Sequence, residues 1–218
     1  MYVLSQNHEY MKLIISIIAI LVLGTYNLMG QECLNIDYKF RGYFYAGTSM
    51  PDTSAPGGYY EDQNKPQKFS AKIDPLAEAG NFQIVALPDD ASQFAKGVDG
   101  FKVYVVNQTD STIALPAQDS RLDNKRQVYY NGEWQDIEYL PSSWCGNSYH
   151  SVFIKPNEYW EFTAPCMVGD ISIKFRFALK VTEDLHVYSN EFDGSFNEKQ
   201  LTTEQGHNPA NIMDPYNN

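Results

Sequence analysis

The stretch from Ile171 to Lys180 limits the possible fold more than any other part of this chain. Apolar side chains recur there at every second position, namely at Ile171, Ile173, Phe175, Phe177 and Leu179. A helix repeats about every 3.6 residues and cannot bury such a series on one side, whereas a strand has a repeat of two. The pattern therefore predicts a β-strand with one face in a core and the other near water.

The remaining chain has short strand-like segments and almost no helical periodicity. After residue 100 about eight such segments follow at close spacing, as expected for an immunoglobulin-like sandwich of roughly 100 residues. We predict an all-β fold, an antiparallel immunoglobulin-like β-sandwich over residues 98–193, with extra strands and loops in residues 31–97 that either join the sandwich or stand outside it. A jelly roll or a barrel that also uses the N-terminal strands is the alternative.

Two polar segments set the expected limits of this domain. Residues 89–100 are turn-like, and we place a soft boundary there. Residues 194–218 are dominated by Asn, Gln, Gly and Pro, which predicts a poorly ordered C-terminal tail.

The dipeptide Asn131-Gly132 predicts a β-hairpin with a two-residue turn, because both central positions of a type I′ turn need positive φ. The resulting register places Tyr129 opposite Trp134, Gln127 opposite Asp136 and Lys125 opposite Glu138. A second hairpin is expected around the Lys-Pro-Asn-Glu turn at 155–158, since Pro favours the second position of a type I turn. It would place Phe153 opposite Trp160.

The N-terminal segment has the pattern of a targeting signal. Lys12 precedes an apolar run over residues 13–23 that is short for a membrane span and typical of a signal-peptide core. We expect residues 1–30 to be a signal peptide, with Met11 as a possible true start, and the protein to be exported to the periplasm or the medium. The alternative is an uncleaved N-terminal anchor.

The charge of the chain excludes one class of partner. The whole sequence has 16 basic and 27 acidic residues, and removal of residues 1–30 takes one of each, so the net charge stays at −11. Such a chain repels phosphate backbones. Nucleic acid is therefore not an expected partner.

Three cysteines in an exported chain favour one disulfide and one remaining thiol. The register of the second hairpin brings Cys145 and Cys166 about one diagonal step apart. We therefore expect a Cys145–Cys166 disulfide, with Cys33 free or intermolecular. Reduced, buried thiols are the alternative.

No motif in the sequence predicts catalysis, a metal or a cofactor. There is no Gly-rich phosphate loop and no serine in a nucleophile elbow, and His8, His186 and His207 stand apart from clusters with ligand spacing. Cys145 and His150 could be read as nucleophile and base, but no orienting acid is evident.

The stretch 139–149 has binding character, since small and polar residues surround the large ring of Trp144. Loops at the ends of sandwiches are common binding sites. We name Trp144, Tyr149 and His150 as candidate ligand-binding residues. The alternative role for Trp144 is to plug the open end of the core.

Four motifs resemble uncharacterised exported proteins of Bacteroidota-type bacteria: Val-Val-Asn-Gln-Thr at 105–109, Leu-Pro-Ala-Gln-Asp at 115–119, Tyr-Leu-Pro-Ser-Ser-Trp-Cys-Gly-Asn-Ser-Tyr-His at 139–150, and Tyr-Ser-Asn-Glu-Phe at 188–192. The resemblance covers roughly residues 98–196, the size of one such domain. It implies a signal peptide and an immunoglobulin-like sandwich, and it implies no activity.

Three functional hypotheses follow. The first is a non-enzymatic exported module that binds a protein or cell-envelope component or has a structural role. The second is a carbohydrate-binding module that holds a polysaccharide with Trp144 and nearby tyrosines. The third is a hydrolase with a site near His150.

Overall fold

The computed structural model describes residues 32–55, 62–141, 143 and 145–202, and most of them lie in β-strands. The strands are β1 (Phe40–Arg41), β2 (Gln67–Lys68), β3 (Phe82–Ala95), β4 (Val98–Asn107), β5 (Ile113–Gln118), β6 (Arg121–Leu122), β7 (Asn124–Tyr130), β8 (Glu133–Asp136), β9 (Glu138–Tyr139), β10 (Tyr149–Ile154), β11 (Glu158–Pro165), β12 (Ile171–Lys180), β13 (His186–Tyr188) and β14 (Phe192–Phe196). Short 3-10 helices cover Asp74–Leu76, Gly146–Ser148 and Glu198–Leu201. The all-β prediction is confirmed.

Strand β12 is the long alternating strand that the sequence predicts, and it is central to a five-stranded sheet. One edge pairs with β7, which continues to β8 through the Asn131-Gly132 turn. The other edge pairs with β14 over its first half and with β13 over its last residues. The side chains of Phe175, Phe177 and Leu179 are buried, so one face of this strand lies in the core.

Two further antiparallel sheets and one short parallel pair complete the fold. The four-stranded sheet has the order β2-β11-β4-β3, and the three-stranded sheet has the order β10-β5-β6. Strands β1 and β9 form the parallel pair. Buried apolar side chains from all three antiparallel sheets belong to one cluster, to which the four-stranded sheet contributes Trp160 and the three-stranded sheet Leu115. The finer topology supports no more specific class than all-β with packed antiparallel sheets.

The ring of Phe44 shows how the N-terminal residues enter this core. It lies 5.1 Å from the ring of Phe162 in the four-stranded sheet and 5.4 Å from that of Phe177 in the five-stranded sheet, centroid to centroid. Both contacts are edge-to-face, a favourable geometry for aromatic pairs. The chain from Cys33 onward accordingly forms one compact unit.

The soft boundary predicted at residues 89–100 is wrong. Strand β3 continues to Ala95, and Gly97, with φ of 78°, lies in the turn that leads into β4. The two strands pair on both sides of two register shifts, one between Leu87 and Ala91 and one between Gln93 and Ala95. The polar composition of this segment reflects an outer edge strand with an irregularity rather than a linker between domains.

The prediction of a poorly ordered tail is wrong for residues 194–202. Phe196 pairs with Ile171 at the end of β14 and is fully buried. Asn197 and Gln200 then form a reciprocal capping box around the last 3-10 helix. Polar composition misled the prediction because it does not show the pairing of β14 with β12, the burial of Phe196 and Gln200 or the bonds of the Asn197 side chain. Residues 203–218, like the predicted signal peptide at 1–30, lie outside the described residues.

The first predicted hairpin is confirmed. Tyr129 pairs with Trp134 and Gln127 with Asp136, and Asn131 and Gly132 have φ of 54° and 88°. The expected pairing of Lys125 with Glu138 is wrong, because the Glu138 carboxylate points into the core. The Lys125 ammonium instead lies 3.6 Å from the Asp136 carboxylate and 3.7 Å from that of Asp123.

The second predicted hairpin, unlike the first, is wrong. Strand β10 pairs with β5, and β11 pairs with β4, so the 155–158 turn crosses from one sheet to another. The Glu158 carboxylate fixes this crossing: it accepts bonds from the Lys155 main-chain N–H (3.0 Å) and the Ser49 hydroxyl (2.5 Å). Phe153 therefore pairs with Ala114 and Trp160 with Val105.

This crossing explains why the predicted Cys145–Cys166 disulfide is wrong. That prediction required β10 and β11 to be neighbours in one sheet. Instead Cys33 forms a disulfide with Cys166, at a sequence separation of 133, beside the bridge between Leu34 and Met167. Cys145 is the free, partly buried thiol.

A charged pair lies inside the core, between Arg126 and Glu138. Both side chains are fully buried, and Arg126 Nε lies 3.5 Å from Glu138 Oε1. The Tyr43 hydroxyl donates to Glu138 Oε1 (3.1 Å), and Arg126 Nη2 donates to the Pro165 carbonyl (2.8 Å). Burial raises the pKa of the Glu138 carboxyl, while the nearby Arg126 acts in the opposite direction. The Arg126 guanidinium also lies 5.2 Å from the centroid of the Phe177 ring.

The loop before residue 56 is attached to β10 by Asp52. Its carboxylate accepts bonds from the Ser54 hydroxyl (2.6 Å) and from the Ser151 main-chain N–H (2.8 Å). These bonds, that of Ser54 first, lower the pKa of Asp52 from 3.8 to about 2. A depressed pKa in the folded state means that the contribution is complete above pH 3.8 and is lost as the pH falls through about 2.

We therefore expect acid to destabilise the wild type more than an Asp52→Asn variant. Between about pH 5 and about pH 2 the extra loss in the free energy of unfolding should be about 1 kcal/mol, after allowance for solvent screening. Urea unfolding of both proteins at the two pH values measures this difference. Parallel losses in the two proteins would show that Asp52 contributes nothing to the acid response.

Candidate functional site

A row of aromatic and cationic side chains lies on the outer face of the five-stranded sheet. The guanidinium carbon of Arg176 is 4.2 Å from the centroid of the Trp134 ring and 3.8 Å from that of Tyr188. The row extends to His186, stacked 6.4 Å from Tyr188, and to Tyr129, 5.3 Å from Trp134. We call these five side chains, Tyr129, Trp134, Arg176, His186 and Tyr188, the ladder.

Strand pairing brings the ladder together. Residues that alternate with the buried ones project to the outer face of a strand, which puts Arg176 between the core positions Phe175 and Phe177 on the side away from the core. The cross-strand partner of Arg176 is Gln127, whose Oε1 accepts a 2.8 Å bond from Arg176 Nε. Trp134 comes from β8 on one side and Tyr188 from β13 on the other, so the guanidinium lies between two rings from different strands.

Arg176 has an unusual charge environment for so acidic a protein. Its side chain is partly buried, and burial lowers the pKa of the guanidinium, while Tyr188 and, after it, the carboxylates of Glu191 and Asp136 act against that change. Within the described residues no carboxylate lies at ion-pair distance from it, whereas neighbouring Lys174 and Lys180 each have an acidic partner. Among the described residues Nε is the nitrogen of this group that has an acceptor, namely Gln127 Oε1, so the terminal nitrogens can meet an acceptor from a partner.

The ladder is open to solvent on both sides of its centre. Tyr129 and Tyr188 are 45% and 49% exposed, among the most exposed large apolar residues of the described chain. Next to Tyr188 lies a hollow of about 120 Å³, bordered by Lys125, Asp136 and His186. The face therefore combines aromatic rings with a guanidinium held between two of them, and its margin contains both acidic and basic side chains.

Of the three residues named from the sequence, the structure describes two, and it does not bring these two together on one surface. Trp144 lies outside the described residues. Tyr149 is exposed, and its hydroxyl accepts a 2.9 Å bond from the Ser143 main-chain N–H. His150 is only 9% exposed and its Nδ1 lies 3.2 Å from the Ser148 carbonyl oxygen. Adjacent residues on a strand point to opposite sides, so Tyr149 and His150 cannot present one surface.

The burial of His150 argues against the hydrolase hypothesis, because a general base must reach the substrate. A separate open hollow of about 430 Å³ is lined by Tyr45, Asp62, Asp119 and Arg121. Arg121 there donates to the Tyr45 hydroxyl and lies over the Tyr45 ring, 4.8 Å from its centroid. These contacts hold the side chains to one another, and the described residues of the hollow include no nucleophile paired with a base.

A third polar cluster lies on the outside of the four-stranded sheet. The Glu161 carboxylate is 2.8 Å from the Lys102 ammonium and 2.9 Å from that of Lys72. Burial would raise the pKa of Glu161, but these hydrogen bonds outweigh it and the pKa is lowered. The charged groups of this cluster pair with one another, which indicates a structural role.

In the part of the chain that the structure describes, His, Cys, Asp and Glu side chains form no group of three or more suited to a metal ion. In the same part, no helix has the length and apolar character needed to cross a membrane.

Sequence reasoning missed the ladder, although part of its signal was present. The hairpin register places Tyr129 and Trp134 side by side, and the alternation of β12 places Arg176 on the outer face. What the sequence does not reveal is that β7 and β13 flank β12, which is what unites these side chains.

Comparison with protein-family models, with curated proteins and with solved structures finds no match for this chain.

Proposed function

We propose that this protein is an exported, non-enzymatic binding module that holds a protein partner, a component of the cell envelope among the candidates, on the ladder face. The observation that carries the proposal is the Arg176 guanidinium, fixed between the Trp134 and Tyr188 rings without a carboxylate partner among the described residues. Its terminal nitrogens suit an acidic side chain or a C-terminal carboxylate, which accept two parallel bonds from arginine.

The composition of the face supports protein recognition. Trp, Tyr and Arg are the residues that most often dominate the binding energy of protein interfaces. All three occur here in contact, and stacking against Trp134 and Tyr188 reduces the freedom that Arg176 would otherwise lose on binding. A partner would thus meet a preformed surface.

The same stacking disfavours the carbohydrate hypothesis for this face. Sugar rings pack on open aromatic faces, and the sides of Trp134 and Tyr188 that face each other are occupied by the guanidinium. The exposed edges of Tyr129 and Tyr188 and the unpaired cation favour an acidic polysaccharide as the second candidate.

Export is part of the proposal and has two supports. One is the pattern of residues 1–30, and the other is the Cys33–Cys166 disulfide, since disulfides persist mainly in oxidising compartments. Cleavage after Gly30 predicts a mature chain beginning at Gln31, which mass spectrometry of the secreted or periplasmic protein would test.

The binding experiment compares the full chain with ladder variants. Wild type, Arg176→Gln, Arg176→Lys and Trp134→Ala are immobilised and exposed to a detergent extract of the producing cells, and bound proteins are quantified. We expect at least one protein whose retention falls about 10-fold or more in each variant, as for a hot-spot residue. Arg176→Lys should fail as well, because lysine keeps the charge but lacks the planar fork.

The matched control is Lys72→Gln, which removes a cation 5.3 Å from the Tyr104 ring on the opposite sheet and should leave retention unchanged. Circular dichroism confirms that each variant is folded. Equal capture by wild type and ladder variants, or no captured protein, would contradict the proposal. Ladder-dependent binding of polygalacturonate alone would establish the second candidate instead.

A further inference from the structure

The short turn between β5 and β6 brings Arg121 to the wall of the open hollow of about 430 Å³. Gln118 in β5 pairs with Arg121 across this turn. The two residues between them, Asp119 and Ser120, have positive φ values of 47° and 63°. On the other edge of β6, Tyr45 lies opposite Arg121 in an antiparallel bridge. Main-chain pairing on both sides therefore fixes the position from which the Arg121 side chain starts.

The Arg121 guanidinium is buried and only partly hydrogen-bonded. The side chain is 5% exposed, and it lies over the Tyr45 ring while Nη2 donates to the Tyr45 hydroxyl. Within the described residues this is the hydrogen bond that the guanidinium makes, Nε has no acceptor, and no carboxylate lies at ion-pair distance. A buried cation without a counter-charge is costly. An anion that enters the hollow would therefore gain a charge-assisted hydrogen bond from a terminal nitrogen.

Two carboxylates line the same hollow, those of Asp62 and Asp119, and both side chains are partly buried. Asp62 Oδ1 accepts a 2.7 Å bond from the Asn64 main-chain N–H. In the part of the chain that the structure describes, Asp62 Oδ2 and the Asp119 carboxylate have no donor, and neither residue forms an ion pair with Arg121. Opposite charges thus border one hollow without neutralising each other.

This arrangement suits a small molecule with charges of both signs. A carboxylate accepts from a guanidinium, and an ammonium group donates to carboxylates. A free α-amino acid has both groups on one carbon. Because two described carboxylates face one guanidinium, a second ammonium group on the ligand would balance the remaining negative charge. The volume of about 430 Å³ is within the range of about 300–1,000 Å³ that is usual for ligand sites.

We propose that this hollow binds a free basic α-amino acid, with its carboxylate on Arg121 and its two ammonium groups on Asp62 and Asp119. Stacking on Tyr45 holds the guanidinium in place before the ligand arrives, which lowers the cost of ordering it on binding. The site is separate from the ladder, because no ladder residue is among the described residues that line the hollow.

Calorimetric titration of the purified full chain at low ionic strength tests the ligand class. The probe is L-lysine, and three analogues each lack one of its charged groups: cadaverine lacks the carboxylate, Nα-acetyl-L-lysine the α-ammonium and L-norleucine the side-chain ammonium. We expect L-lysine to bind at one site per chain and each analogue to bind about 10-fold or more weakly, since each loses a charge-assisted hydrogen bond.

Variants of the three charged residues then assign the contacts. Arg121→Gln should weaken L-lysine about 10-fold or more and leave cadaverine, which has no carboxylate, unchanged. Asp62→Asn and Asp119→Asn should each weaken L-lysine by a similar factor. Both aspartate changes suit the fold, because Asn also adopts positive φ at position 119 and keeps at position 62 the oxygen that accepts the Asn64 N–H.

The matched control is Lys72→Gln, which removes a cation from the opposite side of the four-stranded sheet and should leave L-lysine binding unchanged. Circular dichroism checks the fold of every variant. If Arg121→Gln does not fold, the analogue series on the wild type and the two aspartate variants still decide the result. Amide NMR shifts caused by L-lysine should centre on Asp119, Ser120 and Arg121.

Four outcomes would overturn the proposal. These are no binding of L-lysine, equal binding of L-lysine and its analogues, L-lysine binding that both aspartate variants leave unchanged, and amide shifts centred elsewhere. Acetate that binds as tightly as L-lysine would also overturn it, by showing a site for simple anions. The pull-down experiment with ladder variants concerns another surface, so its result and this one are independent.

Discussion

Replacing both Cys33 and Cys166 with serine should lower the free energy of unfolding by about 3–5 kcal/mol, among the largest effects expected for any change in this chain. The bond joins residues 133 apart in sequence, so its loss releases a long loop in the unfolded state. In the chain-entropy description the stabilisation grows with the logarithm of loop length and reaches about 5 kcal/mol at this length. Guanidinium unfolding of the oxidised wild type and the double variant measures it.

Cys145→Ser is the matched control, because this thiol takes part in no disulfide, and its effect should stay below about 1 kcal/mol. Titration of free thiols in the unfolded, unreduced wild type should find one per chain, at Cys145. If replacing Cys145 lowered the free energy of unfolding and replacing Cys33 did not, the Cys33–Cys166 pairing would be wrong and Cys145 would be the partner of Cys166.

Removing Glu138 should destabilise the fold by about 3–5 kcal/mol, because it leaves the Arg126 guanidinium charged and unpaired inside the core. Glu138→Ala also frees the Arg126 main-chain N–H, which donates to the carboxylate at 2.9 Å, and the Tyr43 hydroxyl. The rings around Arg126 offset only part of this loss. Urea unfolding at neutral pH gives the value.

The double variant Arg126→Met/Glu138→Leu tests the cause. If the cost comes from an unpaired buried charge, removing both charges should restore most of the stability. Asp37→Asn, which breaks an exposed pair with Lys199, should cost less than about 1 kcal/mol. A double variant as unstable as Glu138→Ala would show that hydrogen bonding and shape, rather than charge, set the cost.

Local patterns in the sequence predicted single elements well. The alternation over Ile171–Lys180 and the Asn131-Gly132 turn each depend on neighbouring residues only, and both are confirmed. Both predictions succeed because strand periodicity and turn geometry are determined by interactions within a few residues.

Errors arose wherever a prediction depended on which strands become neighbours. The turn at 155–158 has the composition of a hairpin turn, yet it connects two sheets. Trp160 lies opposite Val105, fully buried, and its indole N–H donates to the Gly47 carbonyl oxygen, a contact between segments distant in sequence that no local pattern indicates. The disulfide prediction inherited that error. Similarly, the pairing of Lys125 with Glu138 failed because Glu138 turns inward to Arg126, a preference that appears only in the folded core.

The candidate site was missed for the same reason. Its side chains come from β7, β8, β12 and β13, and the unpaired state of Arg176 depends on where every carboxylate lies in space. The sequence focused attention instead on the stretch around Trp144, where small residues and one large ring have the composition of a binding loop.

The pairing of the first cysteine with the last has a consequence for biosynthesis. A chain emerges from the ribosome N-terminus first, so Cys33 and Cys145 are both present before Cys166 has been made. An early Cys33–Cys145 bond would have to be resolved by attack of the Cys166 thiolate, a thiol–disulfide exchange that releases Cys145. Wherever the early bond forms, the native pairing requires this exchange. A disulfide isomerase should therefore raise the yield of correctly oxidised protein.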